Sequence, residues 1–237
     1  MFPQPNSRLT RQIILSISSV FLLFFVVVPS LQATEIAIWN FNDSDLTVDH
    51  GNGVLTSDLN SINILFAAGT TNNARLGDLA GQALSLQGGT GTANNGRSIT
   101  FSVNTTGFSN IIVSFATQGT STGFNSNQFQ YSLDGTTFID FGPPYVPAAV
   151  FGTIPIVFSL TSIDGLNNNP NAAFRIVFNG ATSSTGNNRI DNIVVEGTSA
   201  ATIPEPTTVL LLLTGLASLA GVKRRFPRKG IGKLPDS

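Results

Sequence analysis

His50 is the only histidine of the chain and stands beside Asp49, so any His-dependent general base must be this residue. No GxSxG segment accompanies it, and a histidine in an Asp/Gly-rich stretch reads as an exposed loop residue rather than a base. Asp43, Asp45 and Asp49 form the densest acidic run, but Val54 stands where a twelve-residue calcium loop needs a closing glutamate, so the run reads as a solvated loop. Glycoside hydrolysis needs two opposed carboxylates, and no pair is marked. Sugar recognition needs rings to stack on, and Trp39, Tyr131 and Tyr145 are the candidates. Trp39 alternates with Ala37 and Phe41, which points it to a core. Tyr145 lies in the proline-stiffened segment GPPYVP, from which a ring can be presented outward, so Tyr145 and Tyr131 are the expected carbohydrate contacts.

Composition removes other chemistries. The 237 residues contain no cysteine, hence no thiol nucleophile, disulfide or thiolate metal site. Charge is segregated: eight of the twelve basic residues lie near the two ends, and between Thr34 and Ser199 four arginines face eleven acids, a net charge of -7 without a single lysine. A domain of that sign lacks the basic footprint that nucleic-acid binding requires.

The elements that would position these residues begin after an N-terminal segment with Arg8 and Arg11, an apolar run from Ile13 to Val28, Pro29 and a small residue at Ala33. This is the order of a secretory signal with cleavage after Ala33; read as uncleaved, it is a membrane anchor, and either reading exports the domain beyond it. The far end carries Pro204-Glu205-Pro206, an apolar stretch over 207–222 and Lys223-Arg224-Arg225 opening a basic tail over 223–237. The prolines stiffen the segment before the apolar stretch, and the basic cluster keeps the end cytoplasmic by the positive-inside rule. This tail resembles the PEP-CTERM sorting signal of exopolysaccharide-producing bacteria. The resemblance implies transient anchoring by a short transmembrane helix, recognition near Pro204–Pro206 by an exosortase as the partner enzyme, and transfer to the cell envelope or release. Its alternative is a plain C-terminal membrane anchor. The expected organisation is therefore a signal over 1–33, a domain over 34–199 and a sorting segment over 200–237.

The middle region alternates short apolar runs with Gly, Asn, Ser and Thr clusters, which predicts an all-β, two-sheet sandwich. Ten strands are expected: 35–41, 62–67, 83–87, 98–103, 110–117, 128–133, 137–141, 154–160, 173–178 and 190–196. Asp134-Gly135 between FQYSL and TTFIDF reads as a tight hairpin turn. WNFND at 39–43, FQYSLDGTTF at 129–138 and NRIDNIVVEG at 188–197 resemble the opening strand, central hairpin and closing strand of jelly-roll domains on surface proteins and secreted hydrolases. In such domains the first and last strands lie side by side, which implies Asn42 and Asp43 near Asp191, an oxygen set suited to a structural Ca2+. The expected function is an exported, noncatalytic structural or adhesive protein of the envelope or extracellular matrix. The alternatives are a carbohydrate-binding module acting on exopolysaccharide and, third, a secreted polysaccharide hydrolase.

Overall fold

The computed structural model describes residues 33–199, and the expectations for the signal segment, the Pro204–Pro206 motif, the apolar stretch and the basic tail lie outside the described residues. The described strands are β1 (Ala33–Trp39), β2 (His50–Gly51), β3 (Gly53–Ser57), β4 (Ile64–Ala68), β5 (Gln82–Gln87), β6 (Arg97–Val103), β7 (Phe108–Gly119), β8 (Ser126–Ser132), β9 (Phe138–Asp140), β10 (Ile156–Ser159), β11 (Ala172–Asn179) and β12 (Asn187–Ser199). They pair antiparallel in two sheets, one of seven strands in the order β10-β7-β12-β1-β2 with β5 also on β12 and β4 on β5, the other β3-β6-β11-β8-β9. The two-sheet sandwich expected from the alternation is present. Each of the ten expected strands overlaps an observed one; β2, within the stretch expected as solvated loop, and β3, which begins at its end, are additions.

Period-two alternation builds the core. Ile99, Phe101 and Val103 of β6 and Phe174, Ile176 and Phe178 of β11 turn inward from one sheet; Ile111, Val113 and Phe115 of β7 and Ile193 and Val195 of β12 meet them from the other. The rings interlock. Phe129 and Phe158 stack at 3.9 Å between centroids, and Trp39 tilts against Phe101 at 5.9 Å. Trp39 is fully buried, as its alternation predicts. Each buried ring contributes about 1.5–3 kcal/mol by transfer from water, which gives a cysteine-free domain its stability.

β12 organises the seven-stranded sheet. One edge pairs with β7 along most of its length, while the other is shared: Asn187–Ile190 pair with β5 and Ile193–Thr198 with β1. Asp191 and Asn192 fall in the gap between the two partners, and the register on the β7 side shifts there between Asp191 and Val194. Such a bulge re-aims side chains. Here it turns Asp191 and Asn192 toward the segment that links β4 to β5.

Candidate functional site

The two sheets differ in what covers their outer faces. On the seven-stranded sheet the segment from Gly69 to Gly81 lies over β7 and β12. The Asn73 amide donates to Ser114 Oγ at 3.0 Å and to the Asn192 carbonyl at 2.8 Å, and the Asn192 amide donates back to the carbonyls of Thr70 and Asn72 at 2.8 and 2.9 Å. Asp191 completes the clasp by accepting the Thr70 N–H at 2.7 Å and the Asn192 N–H at 2.8 Å. A Cβ on Gly69 would collide with the Ala80 carbonyl and the Asp191 carboxylate, so the close approach of the segment requires glycine there. Burial raises the Asp191 pKa to about 7 against the pull of those two N–H groups. Arg75 adds ion pairs with Glu196 and Glu35 at 3.7 and 3.9 Å.

Among the described residues, no such segment covers the outer face of the five-stranded sheet. Cross-strand register places Thr56, Thr100, Arg175, Gln130 and Asp140 in one row across β3, β6, β11, β8 and β9. With strands about 4.8 Å apart, the row spans roughly 19 Å. Its members are already aligned by hydrogen bonds. Arg175 Nε donates to Gln130 Oε1 at 2.7 Å, and Gln130 Nε2 donates to Asp140 Oδ1 at 2.7 Å. The Arg175 guanidinium lies 3.9 Å over the Phe138 ring, a cation–π contact that holds the fork flat. Partial burial pulls the Arg175 pKa down while Asp58 and Asp140 push it up, so the group stays cationic. No carboxylate among the described residues pairs with it within 4.0 Å. The terminal guanidinium nitrogens and Asp140 Oδ2 make no hydrogen bond to another described residue.

Beside the row, on the same face, a groove of about 490 Å³ runs past the strand ends, lined by Asn52, Val54, Ser102, Asn104, Asp134 and Asn171. The β8–β9 hairpin walls it. The Asp134 carboxylate accepts the N–H groups of Thr136 and Thr137 and the hydroxyls of Ser132 and Thr137. These donors, led by the Thr137 N–H, hold its pKa well below the usual carboxylate range. Gly135, at φ +77°, takes the left-handed position in the five-residue connection 133–137, a longer turn than the tight one expected.

The residues expected to do chemistry are placed otherwise. Tyr145 does not present its ring to solvent: its backbone bridges to Asn127, its ring packs on Phe115 and Phe158, and its hydroxyl is buried. Burial pushes the phenol pKa up. Tyr131 alternates inward and packs edge-on against Phe141. Both expected carbohydrate contacts are thus core-side residues, because the backbone bridge to Asn127 holds the Tyr145 segment on β8 rather than away from it. The Asn42 side-chain carbonyl accepts the Gln82 N–H and its amide donates to the Leu79 carbonyl, while Asp191 is held by the N–H groups of Thr70 and Asn192. Asp43 sits in the exposed loop, where its carboxylate accepts the Asp45 N–H. The three do not converge as one calcium shell, and no group of three or more His, Asp or Glu fit for a metal ion occurs among the described residues. His50 lies 3.8 Å from Asp78, which lines a separate cavity together with Asn40, Asn42, Asp43 and Asp49. Ala33, the expected signal boundary, opens β1 opposite Thr198.

Sequence reasoning missed the row itself. The alternations Phe129-Gln130-Tyr131 and Phe174-Arg175-Ile176 mark Gln130 and Arg175 as outward, but only the register makes them neighbours.

No family model matches the chain, and none of the curated proteins does. Among solved structures, the chain is similar to TmCBM61 in complex with β-1,4-galactotriose, at 12% identity over 66% of this chain and 92% of that one, with a TM-score of 0.40. It is similar to the CBM22-1 xylan-binding domain of Paenibacillus barcinonensis Xyn10C, at 10% identity over 71% and 97% of the two chains and a TM-score of 0.43. The K2 cleaved adhesin domain of Lys-gingipain matches at 12% identity over 69% and 97%, also with a TM-score of 0.43. Likenesses of this degree carry no functional information, and the chemistry rests on the residues of the open face.

Proposed function

We propose that the domain is a noncatalytic carbohydrate-binding domain of an exported protein, and that its ligand lies across the outer face of the five-stranded sheet. The observation that carries this reading is the Arg175–Gln130–Asp140 chain of hydrogen bonds with Arg175 lying on Phe138. A sugar offers hydroxyls that both donate and accept, and apolar C–H faces. The row answers with unpaired guanidinium donors, an unpaired carboxylate oxygen, two threonines at its far end and an aromatic ring at its near end. The planar groups are already fixed by one another, so binding orders few side chains. The strands supply no pair of opposed, isolated carboxylates on this face, which favours binding over hydrolysis.

A glycan array probed with the secreted protein tests this. Wild type is expected to retain exopolysaccharide fragments, and Arg175→Ala and Phe138→Ala each to lose about tenfold or more in affinity, the scale of one charge-assisted hydrogen bond or stacking contact. Binding untouched by both substitutions, or no glycan bound at all, defeats the reading.

The sorting reading stands on sequence. A signal ending at Ala33 and the ordered Pro204-Glu205-Pro206, apolar stretch and Lys223-Arg224-Arg225 support processing by an exosortase and delivery to the cell envelope, where an exopolysaccharide ligand is at hand. Mass spectrometry of the mature protein is expected to find the new N-terminus at Thr34 and the residues from Lys223 onward removed. A mature form that retains Lys223–Ser237 contradicts the sorting route and leaves the glycan reading untouched.

A further inference from the structure

The seven-stranded sheet ends in β10 on one side; on the other it forks beyond β12, one branch ending in β4 and the other in the two-residue β2, which Asp49 directly precedes. Leu160 N–H bonds to the Ile111 carbonyl in line with the β10–β7 register, so Ile156 and Phe158 direct their backbone groups to β7. By alternation, Val157 and Ser159 direct theirs outward, without a strand beside them among the described residues. At the other end, Gly69 N–H bonds to the Gly81 carbonyl in line with the β4–β5 register, which leaves Ile64 and Phe66 facing outward. Each end thus offers unpaired backbone groups to another strand, although at β4 the Ala68 carbonyl already accepts from Arg189 Nη1 at 3.1 Å.

Both ends are also apolar, and among the described residues the one charge bonded to either strand is the Arg189 guanidinium on the Ala68 carbonyl of β4. Ile154 is 83% and Val157 54% exposed at one, Ile62 72% and Leu65 41% exposed at the other. No charged residue occurs from Phe141 to Ile163 or from Leu59 to Ala74. The domain has no lysine with which to guard an edge, although its net charge is -7. Two copies therefore repel through most of their surfaces and least through these two ends. A basic partner would settle on the acidic loops, whereas an apolar edge free of acidic residues is matched by the apolar edge, equally free of them, at the opposite end of the same sheet.

We propose that copies of this protein associate head to tail, β10 of one copy adding to β4 of the next, so that the seven-stranded sheet continues from molecule to molecule. Such a heterologous contact leaves a free end at each step and grows into linear assemblies rather than a closed dimer. The open glycan-binding face belongs to the other sheet and stays accessible along the array.

Sedimentation velocity of the mature protein, with Val157→Lys and Leu65→Lys variants, tests the arrangement. Wild type is expected to show a mass that rises with concentration past the dimer. Each variant alone is expected to remain monomeric with an unchanged melting midpoint, because one of its two ends is blocked. Mixed in equal amounts, the variants are expected to form dimers and nothing larger, since the free β4 of one meets the free β10 of the other. Ile154→Lys and Ile62→Lys serve if either first choice fails to fold. Wild type that stays monomeric at every concentration overturns the proposal. So does a Leu65→Lys variant that still dimerises, which would reveal β10 pairing with itself. A monomeric protein that floats with phosphatidylcholine vesicles, and ceases to with Val157→Lys, assigns the edge to a membrane and overturns it as well.

Discussion

Asp134 shows how one carboxylate fixes a turn that frames the groove. It accepts two backbone N–H groups and two hydroxyls, all of which favour its charged form and lower its pKa. A carboxylate whose folded pKa is depressed adds stability above the unfolded pKa, near 4, and that stability is lost as pH falls through the folded value. Asp134→Asn is thus expected to melt below wild type at pH 7, and the gap to narrow progressively as pH falls below about 4; a gap of unchanged size on going from about pH 5 to about pH 2 would place the effect elsewhere. Legibility at this scale was uneven. Asp134-Gly135 announces a hairpin in the sequence, and Trp39 announces its burial by alternation. Tyr145 misleads, because GPPYVP shows that the segment is stiff but not which way it turns. The inward path is set by the backbone bridge to Asn127, eighteen residues earlier, and by ring contacts with Phe115 and Phe158.

At the scale of elements, the alternation of apolar and polar residues is enough to locate the long strands, since each has one face on the core. It fails for β2 and β3, because the segments His50–Gly51 and Gly53–Ser57 are short and lie among glycines, with Leu55 as the one core residue, and gain their partners only from β1 and β6. The side-by-side arrangement of β1 and β12 follows the jelly-roll resemblance, but the gap on β12 where β1 gives way to β5 is invisible in sequence. That gap explains why Asp191 and Asn192 clasp the Gly69–Gly81 segment instead of joining Asp43. Asn192 bridges two carbonyls from a left-handed backbone position, φ 51°. Asn192→Ala leaves both carbonyls short of a donor and strains the backbone, and is expected to cost about 2–4 kcal/mol in chemical denaturation. Asn192→Gly, which relieves only the strain, is expected to recover about 1 kcal/mol of it. Equal losses in the two variants would show that the backbone conformation contributes nothing.

For the whole molecule, the division of charge and the division of faces agree. Most basic residues sit at the ends that the sorting reading removes, so the domain that remains is acidic and carries its few arginines in defined places. Arg75 pins the segment over one sheet, while Arg175 is left without a carboxylate partner on the other. Among the described residues, one outer face is thereby closed by the protein itself and the other is open, as the proposed glycan site requires. The most direct test is a titration of the ¹⁵N-labelled protein with a neutral oligosaccharide selected on the array, followed by amide chemical shifts. The shifts are expected to gather on Thr56, Thr100, Gln130, Phe138, Asp140 and Arg175 and to spare the Gly69–Gly81 segment. Shifts centred on that segment or on the Asp49–Asp78 cavity, with the five-stranded face silent, would contradict a glycan site on the open sheet.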